Sequence, residues 1–267
     1  MPFRSIAFLT DYGLDDAYVA ICRGVLLDLA PAAPVVDVTH LVPAQDVRRG
    51  ATVLAFAAPH LAPSVFVAVV DPGVGGDRRG VAVAAGGSVL VGPDNGLPPA
   101  AADALGGGTE AVELDRPELH RQPVSATFHG RDVFCPVAAR LFAGLPLAEA
   151  GTPVDPASLV RLPDPVVRHG DGWLEAEVVH VDRYGNVQLA TGADDLARLG
   201  APGGAIEMGD ASALLGRHFG SVRVGELVVY LDSDGRVAAA VNQGRADQLL
   251  GVRAGDVVRL RRSGSPG

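Results

Sequence analysis

Residues 65–79 read VFVAVVDPGVGGDRR, and the opening run VFVAVV sets the fold. A short, continuous apolar run rich in valine is the pattern of a strand covered on both faces. It ends at Asp71, where a glycine-rich turn begins. Residues 5–10, SIAFLT, repeat the pattern and end at Asp11. Beyond them Tyr18, Ile21, Cys22, Val25, Leu26 and Leu29 recur at helical spacing, with Asp15 or Asp16 as the expected N-cap and Pro31 and Pro34 closing the helix. VVDVT at 35–39 reads as a strand, and a second helix is expected from about Asp46 to Ala58, stopped by Pro59. Residues 80–85 and 88–92 are predicted to form a hairpin around Gly86 and Gly87, and 132–143 a helix in which Pro136 marks a kink or the first turn. Alternating strands and helices indicate an α/β domain over residues 1–160 with a mostly parallel central sheet. Such sheets bind ligands beyond the carboxyl ends of their strands, where Asp11 and Asp71 fall.

The pattern changes near residue 160. The segment 161–172, RLPDPVVRHGDG, is rich in proline, glycine and charge and reads as a linker. Short strands are expected at 175–181, 186–190, 203–208, 227–232, 236–241 and 256–260, with one helical stretch at 245–250. Residues 173–267 are therefore predicted to be a smaller β-barrel-like domain.

Composition excludes several classes. The chain is 48% hydrophobic, enough for a true core. Its net charge of −9 argues against nucleic acid or an anionic membrane as partner. No apolar run approaches the roughly 20 residues of a membrane span. The N-terminus lacks a signal-peptide pattern, so a cytoplasmic location is expected. There is no lysine, which excludes a Walker loop and Schiff-base chemistry. Cys22 and Cys135 form no metal framework and read as small core residues. The histidines show no metal-like spacing, and no metal is expected. His40 reads as structural, and Asp94-Asn95-Gly96 as a turn.

Four clusters place polar side chains beside glycine: LTDYGLDD at 9–16, DPGVGGDRR at 71–79, TFHGRD at 127–132 and VDRYGN at 181–186. Taken singly, Asp71 could be a turn residue, Arg78 and Arg79 a solvated pair, and His129 a capping or core histidine. Together with DVTH (37–40), VGPDNGL (91–97) and AVNQG (240–244), in this order, the chain resembles the S-adenosylmethionine hydroxide adenosyltransferases, a family that also includes S-adenosylmethionine fluorinases and chlorinases. The resemblance implies hydrolysis of S-adenosylmethionine to adenosine and methionine by water attack at ribose C5′. No cofactor is then needed, because S-adenosylmethionine is itself the substrate. The hydrolytic branch is marked by an aspartate, an arginine and a histidine, which fall on Asp71, Arg78 and His129. The halogenating relatives carry an aromatic residue where Asp71 stands. Halogenation, and a non-catalytic adenosine- or S-adenosylmethionine-binding role, are the competing readings.

The resemblance also implies substrate contacts: Asp11 on the ribose hydroxyls, Asp15 or Asp16 at the methionine end, Asp182 on the methionine ammonium, Tyr184 stacking on adenine and Asn186 reading it. Ser233, Asn242 and the 241–243 backbone match contacts to the methionine carboxylate and adenine. Residues 232–235 read DSDG, so Asp234 stands beside the expected carboxylate and would repel it unless turned away. The family resemblance further implies a homotrimer with sites at subunit interfaces.

Overall fold

A computed structural model describes residues 3–263. It divides into two compact units, one ending at Leu162 and the other starting at Pro163.

In the first unit, β1 (Ile6–Thr10), α1 (Tyr18–Leu29), β2 (Val35–Thr39), α2 (Val47–Leu61) and β3 (Val65–Val69) follow the expected alternation. β4 (Gly80–Ala85), β5 (Ser88–Pro93), α3 (Leu97–Ala104), β6 (Glu110–Glu113), α4 (Cys135–Phe142) and β7 (Thr152–Val154) complete it. The sheet order is β2-β1-β3-β5-β4-β6-β7. The first four strands are mutually parallel, while β4 is antiparallel to β5 and β6, and β7 to β6. β6 therefore runs with the parallel four.

Every residue of β1 and β3 is buried because the sheet has an apolar core on each face. Ile6, Phe8, Val65, Val67 and Val69 enter one core with Cys22 and Cys135, whereas Ala7, Leu9, Phe66, Ala68 and Val70 enter the other with Leu54 and Leu97. Alternate residues point to opposite faces, so strands covered twice read as unbroken apolar runs. β1 and β3 pair in register from Ile6↔Val65 to Thr10↔Val69. Asp11 and Asp71 thus emerge at the same edge of the sheet.

Local chemistry departs from expectation at three places. Neither Asp15 nor Asp16 caps α1; the N-cap is Ala17, with no side-chain bond. α2 continues through Pro59 to Leu61, and the Ala62 N–H still reaches the Ala58 carbonyl. A proline in a last turn removes one hydrogen bond without preventing two more residues from completing it. Pro136 opens α4, as one alternative foresaw, but a π-helical turn, Gly130–Phe134, leads into it. The hairpin turn falls on Gly86 and Gly87, whose φ values of 53° and 76° suit a tight two-residue connection.

The second unit holds β8 (Val167–Gly170), β9 (Trp173–Val181), β10 (Val187–Gly192), α5 (Ala193–Leu199), β11 (Ala205–Met208), β12 (Ala211–Leu215), β13 (Leu227–Leu231), β14 (Arg236–Val241), α6 (Ala246–Leu250) and β15 (Val257–Arg262). The order β10-β14-β13-β12-β11-β15-β9-β8, with β9 also pairing with β10, closes a seven-stranded barrel and leaves β8 outside the ring. Leu174, Leu189, Met208, Val229 and Leu260 fill its interior. The stretch expected as a linker contains β8, which pairs with β9. Where β8 meets the start of β9, the indole of Trp173 lies under the Arg259 guanidinium, 4.7 Å from the ring centroid, and against the Gly170 backbone.

Candidate active site

The loop after β3 turns at Gly75, whose φ is 76°. A Cβ there would lie 2.2 Å from the Ala126 carbonyl oxygen. Only glycine allows the 71–79 loop to press against the segment leading to His129. The same loop carries Arg78 back onto Asp71. Arg78 Nε donates to Asp71 Oδ1 at 2.9 Å, and its Nη2 donates to Oδ2. The guanidinium lies 5.4 Å from the Phe134 ring centroid, and this pair is well buried.

Arg78 Nη2 also lies 2.8 Å from His129 Nδ1. A guanidinium has only donors, so Nδ1 must accept and the ring proton sits on Nε2. Burial and the positive charge of Arg78 both hold the His129 pKa below its ordinary value, against the opposing pull of Asp71 and Asp132. His129 is thus a neutral imidazole at neutral pH, with Nε2–H left to donate.

The π turn next to His129 has an identifiable cause. Pro136 has no N–H to offer the Asp132 carbonyl, and that carbonyl accepts instead from Arg121 N at 2.8 Å. The Cys135 N–H closes the wide turn on Gly130 O. The Asp132 side chain, fully buried, is gripped by Arg131 Nε and Nη2 at 2.7 Å each and by Ser125 N at 2.9 Å. Such π turns recur at functional sites, because the inserted residue redirects neighbouring side chains.

Asp11, Tyr12, Tyr18, Asp71, Thr127 and His129 line a pocket of about 360 Å³ in the first unit. Asp11 Oδ2 accepts from Gln45 N at 2.8 Å. Of the residues singled out by sequence, Asp11, Asp71 and His129 therefore converge, with Arg78 behind them. Asp15 is exposed on the loop before α1 and is not part of the lining. Arg79 is no solvated partner of Arg78. It turns to buried Asp94, whose Oδ2 it meets at 2.9 and 2.6 Å. Asp94 is thus more than a turn residue. His40 is buried, with Nδ1 2.9 Å from Thr10 Oγ1, in keeping with a structural role.

The second unit presents its own group. Asp182 Oδ1 accepts from the backbone N–H groups of Tyr184 and Asn186 at 2.8 and 2.9 Å, and Asn186 Nδ2 donates to Oδ2 at 2.7 Å. Tyr184 is 76% exposed at the tip of this turn. The Asn242 side chain donates to the Val222 carbonyl at 2.8 Å, and Ser233 Oγ to Asp234 at 3.1 Å. Asp232 and Asp234 share the Gln188 amide, at 2.7 and 2.8 Å, which gives the unexpected second acid a partner. Among the described residues, no cluster of three or more histidine, cysteine or acidic side chains is arranged to hold a metal.

Tyr12 and Tyr18 are lining residues that sequence reasoning missed. Tyr12 lies inside LTDYG directly after β1, a position that could have flagged it. Tyr18 was absorbed into the helical periodicity of α1.

Residues 6–151 match the family described as SAM hydroxide adenosyltransferase N-terminal domain, and residues 176–259 match its C-terminal domain. An (R)-S-adenosyl-L-methionine hydrolase from Salinispora tropica is 55% identical over 97% of this chain and 98% of its own length. A fluorinase from Nocardia brasiliensis is more distant, 28% identical over 96% of each chain. The crystal structure of an uncharacterized conserved protein from Thermotoga maritima superposes with a TM-score of 0.90 at 36% identity, covering 96% of this chain and 100% of that one.

Proposed function

The chain belongs to the S-adenosylmethionine hydroxide adenosyltransferase family, and from that membership we propose that it hydrolyses (R)-S-adenosyl-L-methionine to adenosine and L-methionine. The configuration is that named for its relatives and refers to the pyramidal sulfonium centre. The observation that carries the reading is the chain of contacts from Asp71 through Arg78 to His129 at the wall of the first-unit pocket.

A water molecule attacks C5′ while the C5′–S bond breaks, its electron pair leaving with the methionine sulfur. The water loses one proton. The leaving group is already activated, so no cofactor is needed and the work is to aim and deprotonate the water. Asp71, clamped at both oxygens by Arg78, keeps lone pairs for the water's hydrogens. His129 cannot take the proton at Nδ1 while Arg78 occupies it, so its Nε2–H orients the water's oxygen instead. One lone pair of that oxygen then remains for C5′. Asp71 receives the proton. Positioning of this kind supplies up to about 7–11 kcal/mol in ideal cases, more than the roughly 10²–10⁴-fold of general base help alone.

The ribose hydroxyls fall to Asp11. The second unit supplies Asn186 and Tyr184 for adenine, Asp182 for the methionine ammonium, and Ser233 and Asn242 for further contacts to the methionine carboxylate and adenine. The proposal extends to a cytoplasmic homotrimer in which a neighbouring copy's second unit completes each pocket. Chromatography after incubation with each sulfonium epimer and chloride tests the reading. Adenosine formed from the (R) epimer supports it. Formation of 5′-chloro-5′-deoxyadenosine would make the chain a halogenase, and tight adenosine binding without turnover a mere binder.

A further inference from the structure

We propose that the rings of Tyr12 and Tyr18 form the surface on which the substrate's sulfonium centre rests, making this pair the determinant of preference for a cationic over a neutral ligand. This assignment rests on S-adenosylmethionine being the substrate.

Both tyrosines line the pocket shared by Asp11, Asp71 and His129. Their ring centroids are 5.9 Å apart, and Phe128 packs edge-on against them at 5.8 and 5.3 Å. Tyr12 from the β1–α1 loop and Tyr18 from α1 thus give the pocket an aromatic wall, with Phe128 packed against both rings. A cation already rests on the ring packed against them: the Arg131 guanidinium stands 5.0 Å from the Phe128 centroid. The position of Tyr12 is over-determined. A Cβ on Gly130 would come within 2.1 Å of its hydroxyl oxygen, so the phenol fits against the turn beside His129 only because residue 130 is glycine. Burial drives the Tyr12 pKa far above its ordinary value, and nearby Asp11 and Asp71 push the same way. The ring therefore brings no charge of its own.

A sulfonium sulfur carries a positive charge but no hydrogen to donate. It can be met by a carboxylate or by the negative face of an aromatic ring. The carboxylates of the pocket have other tasks in this reading: Asp71 holds Arg78 and the attacking water, and Asp11 accepts from Gln45 N with one oxygen and takes the ribose hydroxyls. A carboxylate against the sulfur would also be counterproductive. The positive charge disappears as C5′–S breaks, so a strong ground-state ion pair would be lost in the transition state. Ring faces hold the cation more weakly and shed water from it. They suit a site that must bind a sulfonium and then destroy it.

The test compares S-adenosylmethionine with S-adenosylhomocysteine, its neutral thioether counterpart, by calorimetry in an Asp71→Asn background that prevents turnover. With Tyr12→Leu, affinity for the cation is expected to fall roughly five- to thirty-fold more than affinity for the thioether. Tyr12→Phe keeps the ring and should keep the ratio. Equal loss for both ligands, or an unchanged ratio, overturns the assignment and leaves Tyr12 a packing residue. Should Tyr12→Leu not fold, Tyr18→Leu, whose ring is half-exposed, reads the same ratio. Failure of the wild-type protein to hydrolyse S-adenosylmethionine would sink the functional reading itself, which separates the two failures.

Discussion

One guanidinium does two jobs. Arg78 clamps Asp71 through two donors and fixes the His129 tautomer with one of them. Arg78→Lys offers a point charge without the fork. Turnover should fall roughly 10²-fold or more while adenosine affinity stays within a factor of about two, as steady-state kinetics and calorimetry would show. The second prediction concerns pH. Because the folded-state pKa of His129 lies below 6.5, the neutral, working imidazole should persist below that pH, and the acid limb of kcat/KM should have its midpoint below 6.5. The same sign makes the fold less stable as pH falls from 6.5 toward the folded pKa, since the unfolded chain takes the proton first. An NMR titration of the His129 ring giving a pKa at or above 6.5 would refute both statements. Asp71, Arg78 and His129 were singled out in sequence through the ordered motifs that resemble a known family; as polar islands in apolar text, each alone left a turn, solvated-pair or capping reading open. The Arg79–Asp94 pair was not, because burial of a charge leaves no mark on spacing.

At the scale of the element, the π turn is where sequence and structure diverge most instructively. Helical periodicity over 132–143 was visible, but the widening of its first turn depends on Arg121, in the loop before it, taking the carbonyl that Pro136 cannot use. Asp132 then anchors the turn: Arg131 and Ser125 N–H bonds and the charges of Arg131 and Arg121 outweigh the upward push of burial and hold its carboxyl below the usual range. Its stabilising contribution is present above the unfolded carboxyl pKa and is lost as pH falls through the lower folded value. Asp132→Asn should cost about 3 kcal/mol, near the low end for a broken buried pair because the arginines remain partly solvated, and should lower turnover by loosening His129. Unchanged melting temperature together with unchanged kcat would show that the turn does not need its anchor. The elements that sequence reading missed, α3, β6, β7, α5 and β12, share short length, alanine-rich or mixed patterning, and no clean period. β8 was hidden for another reason: as an exposed outer strand it carries Arg168 and His169, which read as linker.

Across the whole molecule, the two-part organisation was readable from the switch between alternating βα text and short strands, while the barrel depends on the β10–β14 and β9–β15 pairings between strands far apart in sequence, which no local pattern encodes. The proposed homotrimer with shared sites carries a sharp prediction. Mixing inactive Asp71→Ala protein with inactive Asn186→Ala protein, after mild dissociation and reassembly, should restore part of the activity, because some interfaces then carry neither lesion. No recovery, or a monomeric mass by light scattering, would overturn it. Each unit has its own apolar core, so the two need not melt as one. Trp173, the single tryptophan of the chain, is held in the barrel between Arg259 and Gly170. One fluorophore thus stands in one half of the protein: selectively excited indole emission follows the barrel alone, and the difference between that trace and the circular dichroism of the whole chain isolates the melting of the first unit without any label.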